Sequence, residues 1–340
     1  MPVNFTIGLS YQCNSRCRTC CIWKSRNNSR LGLDEYEKIF ANIGPSAHEV
    51  ILTGGEPFLR EEIVEVCQLA AKYLKPKIII IPTNGLSPEL IFSKARQILA
   101  QCPGIKLAVN LSIDDIGKKD DLIRGFSGAF DKAKQTFWSL RKIKDKNFSL
   151  KIHTVISKFN AGRIPEIHRY IAAQLKPDAH ILEIAEERTE LGNIGSDIAP
   201  GPENYFRAAD CLIREIKNQR WSGLSRITQA FRLEYYNLVK KLLLEKREVI
   251  PCFAATASCQ ITPDGEVWAC CIKSESMGNL KDNNYDFKKI WRSQKARDLR
   301  EKIKQRKCFC PLANASYTNM LCHPPKLFKI ILSSIFRFHA

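Results

Sequence analysis

Residues 3–20 read Val3-Asn4-Phe5-Thr6-Ile7-Gly8-Leu9-Ser10-Tyr11-Gln12-Cys13-Asn14-Ser15-Arg16-Cys17-Arg18-Thr19-Cys20. The run Val3–Leu9 predicts a strand, and the three cysteines sit in the loop that follows it. The same strand-then-loop unit recurs downstream. Short β-branched runs at Val3–Leu9, His48–Leu52, Ile78–Pro82, Ile105–Asp114, Phe148–Ser157 and His180–Ala185 alternate with amphipathic segments at Asp34–Ile43, Glu61–Leu74, Pro88–Leu99, Ala129–Ile143 and Arg163–Gln174. This alternation predicts βαβ units and a parallel sheet. Six repeats fall short of the eight of a closed barrel, so the expected class is α/β, a partial, laterally open (β/α)6 TIM-type barrel. Periodicity alone leaves a doubly wound open sheet as the alternative.

Two long helices, about Pro202–Asn218 and Gln229–Arg247, lead into a cysteine-rich segment from Cys252 to Cys322. This composition shift gives an expected division into residues 1–225, a C-terminal cysteine-rich auxiliary unit at 226–323 and a tail at 324–340. The chain has 340 residues, of which 44% are hydrophobic and 26% charged, with no low-complexity tract, so a folded protein is expected. The amino terminus lacks the basic and apolar regions of a signal peptide, and no apolar run reaches bilayer length. The chain is therefore expected in the cytoplasm, where fourteen cysteines are better explained by metal or cluster ligation than by disulfides. Cys67, Cys102 and Cys211 fall in apolar helical context and read as small buried hydrophobes. The net charge of +18 admits nucleic acid, an acidic partner or an anionic membrane surface without choosing among them. Much of it lies between Lys281 and Lys307, where no aromatic and basic interleaving marks an RNA-binding pattern.

Three thiolates spaced as Cys13, Cys17 and Cys20 can wrap three corners of a four-iron cube and leave the fourth iron open. The competing zinc knuckle wants four ligands, and no fourth lies nearby. Cys21 reads as a bystander. After the second strand comes Thr53-Gly54-Gly55-Glu56-Pro57, where two glycines let the backbone approach a neighbour closely and a carboxylate can accept from an ammonium group. Thr83-Asn84-Gly85 follows the third strand and reads as a turn. On the fourth strand, Val109, Leu111 and Ile113 are expected to pack on helices while Asn110, Ser112 and Asp114 face the lumen. By the same parity, His153, Ser157 and Glu183 are candidates to look inward, and His153 and Glu183 are the only candidate catalytic side chains.

Together these motifs resemble the radical SAM superfamily, in the family's order, over residues 1 to about 190. The resemblance implies that Cys13, Cys17 and Cys20 hold a [4Fe-4S] cluster and that S-adenosylmethionine chelates its open iron. Gly54, Gly55, Glu56 and Pro57 would hold the methionine amine, with Ser112, Asp114 and Asn84 contacting the carboxylate or ribose. It further implies an electron donor such as flavodoxin or ferredoxin, and a 5′-deoxyadenosyl radical that abstracts hydrogen from an unactivated carbon of a peptide or small-molecule precursor. Thr19 departs from the aromatic residue usual beside the last cysteine. The C-terminal segment resembles a shortened SPASM/Twitch extension through Gly265-x4-Cys270, Met277-Gly278-Asn279-Leu280 and Ile290-Trp291. One auxiliary [4Fe-4S] cluster is expected on Cys252, Cys270, Cys308 and Cys310, with Cys259 or Cys322 as rival ligands. Four thiolates are also what structural zinc uses. A second auxiliary cluster is not expected, because the later cysteine ladder is missing.

Two alternatives stand beside this reading. One is a molybdopterin-type cofactor cyclase, which lacks support in the expected paired cysteines and terminal glycines. The other is a non-catalytic metal-binding protein whose basic surface holds nucleic acid. In the tail, a helical drawing puts Lys326, Lys329, Ser333 and Arg337 on one stripe and Leu327, Phe328, Ile331, Leu332, Ile335 and Phe338 elsewhere. Such a helix suits either an anionic membrane interface, making the protein peripheral to a membrane, or docking on protein.

Overall fold

In the computed structural model the described residues are 1–336 apart from 222 and 307. Arg337 and Phe338 of the expected tail lie outside them. Six strands, β1 (Asn4–Gly8), β2 (Glu49–Thr53), β3 (Ile78–Thr83), β4 (Lys106–Ser112), β5 (Phe148–Ile156) and β6 (Ala179–Ile184), pair in parallel. Their order in the sheet is β6-β5-β4-β3-β2-β1. A doubly wound sheet reverses direction at a switch point. This one never does, so the sheet curls one way into a partial barrel.

The helices that cover its outer face are α1 (Leu33–Ile43), α2 (Ile63–Leu69), α3 (Pro88–Gln101), α4 (Lys118–Arg124), α5 (Ala129–Leu140) and α6 (Ile164–Tyr170). Alternation along the strands builds the core: Val50, Leu52, Ile79, Ile81, Val109, Leu111 and Ile152 turn outward and are fully buried against helix residues such as Tyr36, Ile39, Phe40 and Phe137. Sequence reading leaves out the two-turn helix α4, whose end supplies Arg124.

Two further helices follow, α7 (Pro202–Asn218) and α8 (Leu224–Glu245), so the boundary expected near residue 225 falls at the first turn of α8. The C-terminal part then contributes β7 (Ser258–Ile261), β8 (Glu266–Trp268) and β9 (Ser276–Asn279). β7 pairs in parallel with β1, from Asn4↔Ser258 to Ile7↔Ile261, so the cysteine-rich segment extends the barrel sheet at its β1 edge. The β7–β8 turn is fastened to the loop before Cys13, because the Tyr11 hydroxyl donates to Asp264 Oδ1 at 2.8 Å. Helices α9 (Phe287–Trp291), α10 (Gln294–Lys304), α11 (Ala313–Cys322) and α12 (Pro324–Phe336) complete the described chain.

Candidate functional site

The cysteine loop after β1 is held by three neighbours. From one side, Gly55 N donates to Ser10 O and Glu56 N donates to Gln12 O, both at 2.8 Å. A Cβ at Gly55 would lie 1.9 Å from Gln12 O, so glycine there serves an approach between two stretches of the protein's own backbone. From the other side, Arg16 N donates to Arg124 O at 3.2 Å and Arg18 N to Ile123 O at 2.8 Å. Gly125 permits this second contact, since its φ is +63° and a Cβ would meet Arg16 O at 2.1 Å. From below, Asn84 Nδ2 donates to Asn14 Oδ1 at 2.7 Å and reaches Cys13 Sγ at 3.8 Å.

The Glu56 carboxylate is expected to take the methionine ammonium, and the structure shows the protein donors it already accepts from. Oε1 accepts from Phe58 N at 3.2 Å and Thr83 Oγ1 at 2.8 Å, while Oε2 accepts from Asn84 N at 2.7 Å. The side chain is buried and staples the loop after β2 to the loop after β3. Burial lifts its pKa to about 7 against the pull of those donors.

The Asp114 carboxylate turns to Arg124 Nη1 at 3.0 Å and accepts from Val155 N at 2.9 Å, which anchors α4. The same inward parity fails at Ser157, which is buried in a turn bonded to Asn160 Oδ1. Arg124 is the residue sequence reading misses: buried, it lies within Coulombic reach of Cys17, Asp114 and Asp120, and near Glu56. Burial works against its charge, but Cys17 and Asp114 outweigh that and raise its pKa.

The thiols fall into two groups. Ser15 N donates to Cys13 Sγ at 3.4 Å, and the amide two residues on acts in the same way at Cys20 (Ile22), Cys252 (Ala254) and Cys310 (Leu312). Such N–H donors favour a charged sulfur. No amide is among the influences on Cys67, Cys102, Cys259 or Cys322, nor on Cys271 or Cys308. Cys13, Cys17 and Cys20 lie within Coulombic reach of one another. In the C-terminal part, Cys252, Cys308 and Cys310 all lie within reach of Cys270, and Cys310 is also near Cys271. Burial pushes Cys20 up to about 12 and Cys252 to about 11, and it raises Cys102 to about 11 as well. Among the described residues, no three His, Cys, Asp or Glu side chains are drawn in around a single-ion point. The fit to a cluster therefore rests on the donor set.

Between the two cysteine groups, the lumen carries polar side chains. His153 Nε2 lies 3.8 Å from Glu183 Oε2. Burial alone would lower the His153 pKa, but Glu183 and Asp114 outweigh it and the net direction is up. Burial works to raise Glu183, and His153 with Arg188 prevails to lower it. Arg188, in the loop after β6, is within Coulombic reach of Cys20, Glu183 and His153. Its Nη1 also approaches Cys271 Sγ at 3.8 Å and Glu190 Oε2 at 3.6 Å. Glu190 in turn accepts from Gln260 Nε2 of β7. Asn110 Oδ1 and Arg188 Nε are buried without a hydrogen-bond partner. Arg188, Glu190, Gln260 and Cys271 carry no motif; only the rule that barrel sites gather at the carboxyl ends of strands could have pointed to Arg188.

Two family models match the chain. One, described as the Radical SAM superfamily, covers residues 7–171; the other, SPASM, described as an iron–sulfur cluster-binding domain, covers residues 252–311. The GTP 3′,8-cyclase of Aquifex aeolicus (strain VF5) is 24% identical over 316 residues, 88% of this chain and 92% of that protein. The antilisterial bacteriocin subtilosin biosynthesis protein AlbA of Bacillus subtilis (strain 168) is 23% identical over 328 residues, 92% of this chain and 66% of that protein. Among solved structures, Streptococcus suis SuiB bound to precursor peptide SuiA aligns with a TM-score of 0.63 at 17% identity, over 94% of this chain and 71% of that one, which shows a shared fold.

Proposed function

The chain belongs to the radical SAM superfamily and carries a SPASM-type iron–sulfur domain, and from that premise we propose that it modifies an unactivated carbon of a peptide or small-molecule precursor held in the lumen between two clusters. It is an enzyme whose radical SAM domain binds a [4Fe-4S] cluster and S-adenosylmethionine. This overturns the non-catalytic alternative. When bound, that pair supplies a 5′-deoxyadenosyl radical able to take a hydrogen atom.

The protein's own residues divide the remaining work. Cys13, Cys17 and Cys20 would hold the first cluster. The Gly54–Gly55 backbone, set by the Glu56 staple, would meet the methionine amine, and Ser112, Asn84 and Arg124 its carboxylate. One auxiliary cluster would sit on Cys252, Cys270, Cys308 and Cys310. Cys259, which lies buried in β7, and Cys322 lack the amide donors found at Cys252 and Cys310.

The observation that carries the reading is Arg188. It reaches from Cys20 toward Cys271, and with Asn110 it leaves polar atoms unpaired in a buried space. Unpaired buried polar groups are costly unless a ligand satisfies them. The peptide class draws support from AlbA and SuiB. Cyclisation of a nucleotide remains the second reading, favoured by a match along 92% of the Aquifex cyclase.

The test is anaerobic reconstitution, addition of S-adenosylmethionine and a strong reductant, and measurement of 5′-deoxyadenosine. Wild-type protein produces it, and Arg188→Ala keeps producing it while losing product formation on peptide or GTP. A wild-type protein that yields none sinks the proposal, and GTP consumption selects the second reading.

A further inference from the structure

α12 docks on the protein through a mixed side that carries Lys326, Ile330 and Ser334. Lys326 Nζ donates to Glu234 Oε1 of α8 at 2.6 Å, and Lys329 Nζ lies 3.9 Å from Glu234 Oε2. Ser334 and Ile330 are buried at 4% and 1% exposure. A cavity of about 290 Å³ remains between the two helices, lined by Glu234, Asn237, Lys241, Lys326, Lys329 and Ser333 among others. The opposite side faces water, with Phe328 at 65%, Ile331 at 41%, Leu332 at 37% and Ile335 at 46% exposure. Their spacing, i, i+3, i+4 and i+7, places all four on one helix face. Leu321 of α11, 49% exposed, precedes that face by two turns along the chain. A contiguous apolar face left outward marks an interaction surface.

The helix itself is cationic, since α12 carries Lys326 and Lys329 and no Asp or Glu. The two carboxylates of α8 are already paired. Glu234 holds Lys326 and Lys329, and Glu245 pairs with Lys241 and Arg247. In each pair with Glu245 the cation is the more exposed partner, with side chains 54% and 65% accessible for Lys241 and Arg247 against 28% for Glu245. Lys329 is likewise 64% accessible. Lys329 on α12 and Lys241 on α8, which both line the cavity between the two helices, thus present exposed cations beside the helix.

We propose that this face of α12 docks on the surface of a bilayer containing anionic lipids, with the helix lying in the interface. At about 1.5 Å per residue the thirteen residues of α12 span roughly 20 Å, short of the ~30 Å hydrocarbon core. No helix among the described residues is long and apolar enough to cross a membrane. Four apolar side chains and a few cations give reversible, salt-sensitive attachment. The proposal does not rest on the radical chemistry.

The test is flotation of the reconstituted full-length protein with vesicles of phosphatidylcholine alone or with about 30% phosphatidylglycerol, at low and high salt. The expected result is flotation with the anionic vesicles, lost at least tenfold at high salt. Phe328→Ser, Ile331→Ser and Ile335→Ser combined should remain at the bottom of the gradient while keeping wild-type iron content. Phe328→Trp alone should show a blue-shifted emission on mixing with anionic vesicles. A wild-type protein that stays at the bottom, or a triple variant that floats as well as wild type, overturns the proposal. So does a dimer in light scattering that the triple variant converts to monomer, because the face would then belong to a second copy.

Discussion

Gly55→Ala isolates one steric contact on which the cysteine loop depends. The added Cβ would stand 1.9 Å from Gln12 O and 2.4 Å from Gln12 C, both backbone atoms that cannot swing aside as a side-chain tip could. Ordinary contacts of this kind need about 3.4 Å, so the two loops must part by more than about 1 Å. That separation breaks the bonds from Gly55 N to Ser10 O and from Glu56 N to Gln12 O, each 2.8 Å in the native loop. At about 1 kcal/mol per bond, and up to about 3 for a buried donor left unpaired, the loss is about 2–4 kcal/mol. The displaced segment leads directly into Cys13, so the first cluster should suffer while the auxiliary one survives. Urea unfolding of the iron-free variant should show a lower midpoint, and anaerobic reconstitution should give about four irons in place of about eight. Gly162→Ala is the control, because a Cβ there meets nothing within 4 Å. A Gly55→Ala protein with the wild-type midpoint and full iron would refute the reasoning.

Three further outcomes are expected. Asp114→Ala leaves the buried Arg124 guanidinium without its partner at 3.0 Å and should cost about 3–5 kcal/mol, read as a drop in thermal midpoint that an unchanged melting curve would contradict. Cys252→Ala or Cys310→Ala should halve the iron content whereas Cys259→Ala and Cys322→Ala should not; equal losses in the two pairs would mean the amide donors do not mark ligands. His180 is held well below the ordinary imidazole value by burial and by the neighbouring His168, so the unfolded chain takes up a proton near pH 6.5 that the folded one refuses. Above that pH the group contributes nothing to the pH dependence. As pH falls below it, stability should decline by about 1.4 kcal/mol per unit until the folded histidine titrates. His180→Asn should flatten that slope, and an identical slope in the two proteins would sink the assignment.

Strand placement was legible because β-branched runs such as Ile78–Ile81 and the alternation of Val109 and Leu111 with Asn110 and Ser112 are local signals. Side-chain partners were not. Parity correctly turns His153 and Glu183 toward each other across β5 and β6. It fails at Asp114 and Ser157, which lie past their strands' ends, where the chain turns and alternation no longer governs direction. Glu56 looks like a ligand in sequence because its loop is short and polar. Only the arrival of Thr83 and Asn84 from the next repeat shows which protein donors its carboxylate accepts from.

The sequence by itself determined the βα repeat, the cysteine loop after the first strand and the cysteine-rich extension, since each depends on spacing within a few residues. The tertiary structure decided what depends on residues far apart in the chain. It seats β7 against β1, brings Arg124 under the cysteine loop and stretches Arg188 between the two sets of thiols. It also turns the tail helix over. A helical drawing shows two faces but not which one is buried. Glu234 on α8 draws Lys326 inward beside the buried Ile330, while Phe328 and Ile331 are left in water.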